Sequence, residues 1–116
     1  MANKRLVMCT STGSLDYTGD TYKHLDIDTI RLHVYFKDND YLEGYNLDQV
    51  KLYADLETLE DPKNNLPKTG MPNDDEIRAH FDSAIENGYD EAIVICLSSY
   101  LSGTFGKISQ VAKDYD

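Results

Sequence analysis

The run Ala92-Ile93-Val94-Ile95-Cys96-Leu97 constrains this chain more than any other segment. An unbroken stretch of apolar, largely β-branched residues suits a strand covered on both faces, as in a parallel sheet with helices on either side. It leads into Ser98-Ser99-Tyr100-Leu101-Ser102-Gly103-Thr104, and then into Phe105, Ile108, Val111 and Ala112 at helical spacing. The order is therefore central strand, polar turn, helix. In open parallel sheets ligands bind beyond the carboxyl ends of the strands, which is where this turn falls.

The turn itself has the chemistry of an anion site. Free backbone N–H groups and the positive dipole end of a helix favour negative charge, and Gly103 permits close backbone approach. One Ser or Thr suffices for an N-cap; Ser98, Ser99, Ser102 and Thr104 exceed that need. With no Arg or Lys in the turn, hydroxyls and amides suit a carboxylate or single oxyanion better than a polyphosphate.

The remaining elements follow from periodicity. Arg5 to Cys9 reads as a short buried strand, followed by the polar loop Thr10 to Ser14. A short helix is expected around Tyr22 to Leu25. Ile30, Leu32, Val34 and Phe36 alternate with polar neighbours, the pattern of one half-buried strand. Asp38-Asn39-Asp40 reads as a turn and Tyr41-Leu42 as a return strand. Leu47 to about Leu59 gives a helical face, and Glu60 to Pro72, with all three prolines, reads as a long loop of the kind that tends to be functional. Asn73 with Glu76 forms a capping-box variant before a helix burying Ile77, Phe81, Ala84 and Ile85, which Gly88 closes. The fold class is α/β with a mainly parallel sheet and flanking helices, a single domain over 1–116. The last helix ends where another strand would follow, so the expectation is an amino-terminal portion of something longer.

Charge narrows the function classes. With 21 acidic against 11 basic side chains, the net charge is −10. Such a field repels nucleic acid and anionic membranes. No segment has the length of a membrane span, and the apolar run after the basic start is too short for a signal peptide, which points to a cytoplasmic protein. Cys9 and Cys96 lie in strands without a CxxC pattern and read as free thiols.

Three other chemistries were open. A serine nucleophile lacks a GxSxG elbow, and His24, His33 and His80 are scattered, with His33 and His80 on amphipathic elements. Cys9, at a strand end before a Thr/Ser/Gly loop, resembles the phosphate loops of thiol phosphatases and phosphocarriers, although Leu15 stands where a phosphatase arginine belongs. The acidic groups at Asp38, Asp40 and Glu43 and at Asp74, Asp75 and Glu76 lack the pattern of a calcium loop. Turn residues and helix N-terminal charges explain them, and neither a metal nor a cofactor is expected.

Taken together, three loops resemble the DegV family of bacterial lipid-binding proteins, which includes the fatty-acid-carrying subunit of fatty acid kinase. Cys9-Thr10-Ser11-Thr12-Gly13-Ser14-Leu15 stands where that family has a TDSTxDL-like loop. Leu66-Pro67-Lys68-Thr69-Gly70-Met71-Pro72 is similar to its PKTSxP loop, and Ser98 to Phe105 to its SSxLSGTY turn. The resemblance implies a fatty acid carboxylate held by hydroxyls. Thr69 and Ser98 or Ser99 carry that role, with Ser102, Gly103, Thr104 and Ser11 completing the binding set. It also implies presentation of the carboxylate to a separate fatty acid kinase catalytic subunit, so the lipid carrier itself is not the enzyme. Thr10 replaces the family's aspartate and Gly70 its second serine. Family members run to more than twice this length, with a second lobe closing the lipid tunnel.

Overall fold

A computed structural model describes residues 4–115. Its strands form two sheets rather than one. In the first, β1 (Arg5–Thr10) is central, flanked by β2 (Ile27–Ile30) and β6 (Glu91–Ile95), all parallel. In the second, β3 (His33–Phe36) is central and antiparallel to both β4 (Asn39–Leu42) and β5 (Lys68–Gly70). The helices are α1 (Gln49–Glu57), α2 (Pro62–Asn65), α3 (Asp74–Glu86) and α4 (Thr104–Ala112). None is long and apolar enough to cross a membrane.

The core lies on one side of the parallel sheet. Leu6 and Met8 of β1 and Ile30 of β2 meet Ile77, Phe81 and Ala84 of α3 and Ile108 and Val111 of α4. Val94 and Cys96 pack against this cluster. The pleat sends alternate residues to the other side, where register places Val7 beside Ile27 and Ile93, and Cys9 beside Thr29 and Ile95. That side is uncovered: Ile93 and Ile95 are 48% and 59% exposed.

The expected two-faced burial of the Ala92–Leu97 run is thus corrected. Both α3 and α4 dock on the same face, and β6 lies at the edge of the described sheet rather than at its centre. The apolar run is real; only half of it finds a partner here.

Other differences have local causes. The alternation from Ile30 to Phe36 spans two strands, because the chain leaves the first sheet at Ile30 and enters the second at His33. The hairpin between β3 and β4 turns at Lys37-Asp38, whose φ values of 49° and 62° are those of a two-residue type I′ turn. Asn39 and Asp40 are already in β4. Residues 22–25 form turns instead of a helix. The long loop before Pro72 contains α2 and β5, and β5 is a strand only through its pairing with β3. Helix α1 is shorter than the apolar spacing predicts and buries no residue fully, with Val50 80% exposed.

Helix α3 forms as its sequence dictates, except that Ile85, expected in its buried stripe, lies on the exposed side at 59%. Asn73 accepts from the Glu76 N–H at 2.8 Å, and Glu76 Oε1 accepts from the Asn73 N–H at 3.0 Å. Asp74 and Asp75 add negative charge to the first turn. Gly88 follows the helix at φ 83°, a conformation that costs a residue without Cβ little.

Candidate functional site

Because β1 and β6 run parallel, the loops following them open at the same edge of the sheet. The loop after β1 turns inward. Ser11 is 2% exposed, and its Oγ accepts the Leu32 N–H at 3.0 Å, tying the end of β1 to the crossing between the two sheets. Thr10, also buried, shares a hydrogen bond between hydroxyls with Thr12.

The turn after β6 faces outward. Ser98 closes it locally: its carbonyl accepts from the Leu101 and Ser102 N–H groups, and its Oγ accepts from the Tyr100 N–H at 3.2 Å. Ser102 Oγ accepts the Thr104 N–H and donates to Thr104 Oγ1 at 3.0 Å. Thr104, the first residue of α4, is 2% exposed. Ser99 is exposed and its hydroxyl has no partner among the described residues. Gly103 sits at the N-cap with no side chain of its own, Ser102 Oγ takes the Thr104 N–H, and the first turn carries no acid. The positive end of α4 still favours negative charge.

Thr69 reaches this region through the strand β5. It pairs with Val34, is exposed, and its hydroxyl also has no partner among the described residues. Two residues on, Met71 lies against the serine turn. A Cβ added at Gly103 would come within 3.0 Å of Met71 Sδ, so the absence of a side chain at Gly103 lets the two segments close on each other. Pro72 is fully buried and anchors the chain between that contact and α3. The structure therefore joins the Thr69 segment to the serine turn, while Ser11 lies at the carboxyl end of the neighbouring strand β1, bonded to Leu32.

The hydroxyls of Thr69 and Ser99 are exposed. Grooves of about 730 Å³ and 770 Å³ lie elsewhere, one between the β3–β4 hairpin and the α1–α2 connection, the other between β2 and α3. Neither is lined by Thr69 or the serine turn.

A feature invisible to sequence spacing supports β5 from behind. His33 Nδ1 lies 2.7 Å from Asp40 Oδ1 and Nε2 lies 2.6 Å from Glu76 Oε1, the oxygen that also caps α3. Hydrogen bonds to Glu76 and then to Asp40 raise the His33 pKa above its ordinary value. Burial pushes Glu76 upward, but the Asn73 N–H and His33 outweigh it and hold the carboxyl below its usual range. His33 also stacks on Tyr35, with ring centroids 5.9 Å apart and planes 6° from parallel. Tyr35 in turn crosses over Gly70, where a Cβ would lie 2.7 Å from its Cε2. No local motif announces this chain of contacts, since Glu76 lies 43 residues from His33. His80 makes a separate pair, Nδ1 to Asp28 Oδ2 at 2.7 Å.

A parallel three-stranded layer with helices on one face and hydroxyl-bearing loops at its carboxyl edge defines one lobe of an α/β protein. The chain belongs to the DegV family, a family described as uncharacterised, whose model matches residues 7–116. A DegV domain-containing protein of Clostridium acetobutylicum is 27% identical over 112 residues, 97% of this chain and 37% of that protein. Another from Listeria monocytogenes is 34% identical over 95 residues, covering 81% of this chain and 32% of the relative. Among solved structures, DegV from Bacillus subtilis, described as a fatty acid binding protein, is similar with a TM-score of 0.83 at 28% identity. That match covers 99% of this chain and 38% of the other. A DegV lipid-binding protein from Thermotoga maritima gives a TM-score of 0.79 at 25% identity, over 97% of this chain and 39% of that one. The chain thus spans little more than a third of the relatives it matches.

Proposed function

We propose that this chain is the amino-terminal, head-group-binding lobe of a cytoplasmic fatty-acid-binding protein. In this reading Thr69 and Ser99 donate hydroxyl hydrogen bonds to the carboxylate of a long-chain fatty acid. Ser98, Ser102, Gly103 and Thr104 shape the turn that presents Ser99 and the amino end of α4. Ser11 braces the floor of the site. The lobe has no catalytic role of its own. It presents the carboxylate to a separate fatty acid kinase catalytic subunit, which would phosphorylate it.

The observation that carries this reading is the contact of Met71 with Gly103. It brings a segment bearing one unpartnered hydroxyl against a turn bearing another, at a helix amino end with no acid of its own. Hydroxyl donors and the positive end of a helix both favour a carboxylate, and they support this reading without any lysine or arginine in the turn. Similar DegV proteins described as binding fatty acids or lipids support the ligand class.

Native mass spectrometry of the protein in its full natural length, purified from bacteria and followed by lipid extraction, tests it. The expected result is one bound fatty acid per protein. A protein that emerges empty and takes up no added oleate would refute the reading.

A further inference from the structure

We propose that His33 is a positioning residue for Thr69, and that the affinity of the site for a fatty acid carboxylate is set by whether His33 carries its second proton. This inference rests on the fatty-acid reading above.

The argument starts from the short strand that carries Thr69. Strand β5 has three residues and pairs with β3 only, so its own ladder holds it weakly. Thr69 then depends on what fixes the ends of the segment from Gly70 to Glu76, and His33 reaches both. On one side it stacks on Tyr35, whose ring lies over Gly70, the residue next to Thr69. On the other it bonds Glu76, which closes the capping box on Asn73 and so fixes where the chain enters α3. Between these two points lies Met71, the side chain that touches Gly103 of the serine turn. One imidazole thereby spans the stretch of backbone that follows Thr69 and carries Met71 to the serine turn.

The charge state matters because His33 is held between two acids from different elements, Asp40 of β4 and Glu76 of α3. Both ring nitrogens face an oxygen acceptor, and an imidazole donates from both only when it is protonated. Deprotonation leaves one nitrogen's lone pair facing a carboxylate, so one of the two contacts must open. The other groups near the ring are Tyr35 beside it on β3 and Lys68 on β5, opposite Tyr35 in the register. Gly70, directly opposite His33, brings no charge. The side chain of His33 is 15% exposed and that of Glu76 30%, so the Glu76 contact is shielded from water, whereas Asp40 is 52% exposed. The raised pKa of His33 agrees with a proton held in place by this arrangement. No strand links the two sheets. The His33–Glu76 bond ties β3 of the second sheet to α3, which packs on the first.

The test is a pH titration of cis-parinarate or oleate binding on the protein in its full natural length, from about pH 6 to about pH 9, where the fatty acid remains ionised. Wild type is expected to lose about fivefold in affinity as His33 deprotonates, an effect of the size packed networks transmit. His33→Gln should bind weakly at all pH values, with the pH step gone. The double change Asp40→Asn with Glu76→Gln removes both acids and should shift the step to lower pH, which guards against a His33 variant that fails to fold. Oleate binding with an unaltered pH profile in these variants would overturn the role of His33 and leave the fatty-acid reading standing. An absence of oleate binding at every pH would overturn both. Thr69→Val, titrated alongside, should weaken binding while keeping the step.

Discussion

Two loops leave the same edge of the parallel sheet, both rich in hydroxyls, and the structure spends them differently. After β1, Ser11 is buried and its oxygen is taken by the Leu32 N–H. After β6, Ser99 is exposed with its hydroxyl unclaimed, while Ser98 and Ser102 are used to shape the turn around it. Residue type is the same in the two places. What separates a structural hydroxyl from a binding one is whether the backbone next to it has an unpaired N–H that only that oxygen can reach. At Ser11 the chain crosses from one sheet to the other and leaves such a group. At Ser99 the turn satisfies itself, and the hydroxyl is left over.

This contrast breaks most visibly in ligand affinity. Removing a hydroxyl from the outward rim, by Ser99→Ala or Thr69→Val, deletes a hydrogen bond to a charged group, about 1.5–3 kcal/mol. That corresponds to roughly ten- to a hundredfold in Kd, read by fluorescence titration with cis-parinarate. The melting temperature should stay where it was, since neither hydroxyl has a partner among the described residues. If both variants bind as wild type does, the carboxylate is held by other groups.

The inward loop should respond in the opposite coordinate. Ser11→Ala strands the Leu32 N–H in a buried position, a loss of about 1–3 kcal/mol of folding stability. Urea unfolding should show a lower midpoint with an unchanged slope. Affinity of the folded protein should change less than in Ser99→Ala. A Ser11→Ala protein that is fully stable but lipid-free would move Ser11 from floor to rim.

Much of this fold is legible in the sequence wherever the cause is local. The Asn73–Glu76 box, the buried Ile77, Phe81 and Ala84 and the glycine at position 88 specify α3 within one stretch of chain and appear as expected, while Ile85, expected in the same stripe, is exposed. The two strands β1 and β6 are equally clear from their apolar runs. What escapes is set by distant partners. Gly70 belongs to a strand because β3 lies alongside, not because three residues prefer to be extended. The alternation through Arg31 and Leu32 conceals a change of sheet, since the period of a strand does not say which sheet it joins. The Ala92–Leu97 run says that both faces are apolar, but not that one of them stays uncovered in this lobe. For the site, hydroxyl-rich loops could be found from composition, whereas the difference between Ser11 and Ser99 could not. The role of His33 required Asp40 and Glu76 to be brought together by folding.

The same clasp gives the rim a pH signature in stability as well as affinity. His33 has its pKa raised in the folded state, so its contribution is complete below its ordinary value of 6.5 and fades as pH climbs through the raised value. Glu76 has its pKa lowered, so its contribution is complete above 4.5 and is lost as pH falls through the depressed value. The two overlap fully between about pH 4.5 and pH 6.5. Thermal melts should therefore show the largest gap between wild type and His33→Gln in that window, closing toward alkaline pH. A gap that widens with rising pH would contradict the assignment of a protonated His33.

The smallest expected effect concerns Cys9, and it sharpens the comparison by showing what the first loop does not do. A thiol that carries phosphate needs a cationic or densely donating loop around it to form and hold the thiolate. Here Cys9 is half-buried, its Sγ 3.8 Å from Thr29 Oγ1, and it points to the uncovered side of the sheet with Val7 and Ile95. The loop beyond it turns inward on Ser11, and Arg31 is bound bidentate to Asp16 at 2.7 and 2.9 Å. No cation in that geometry is aimed at the sulfur. Cys9→Ser should accordingly leave oleate affinity within about twofold of wild type, because one exchanged buried contact of similar volume costs little. Incubation with a phosphoryl donor should leave the protein mass unchanged in both forms. A phosphorylated adduct present in wild type and absent in Cys9→Ser would reverse the assignment, making the first loop the chemical one and the serine turn its support.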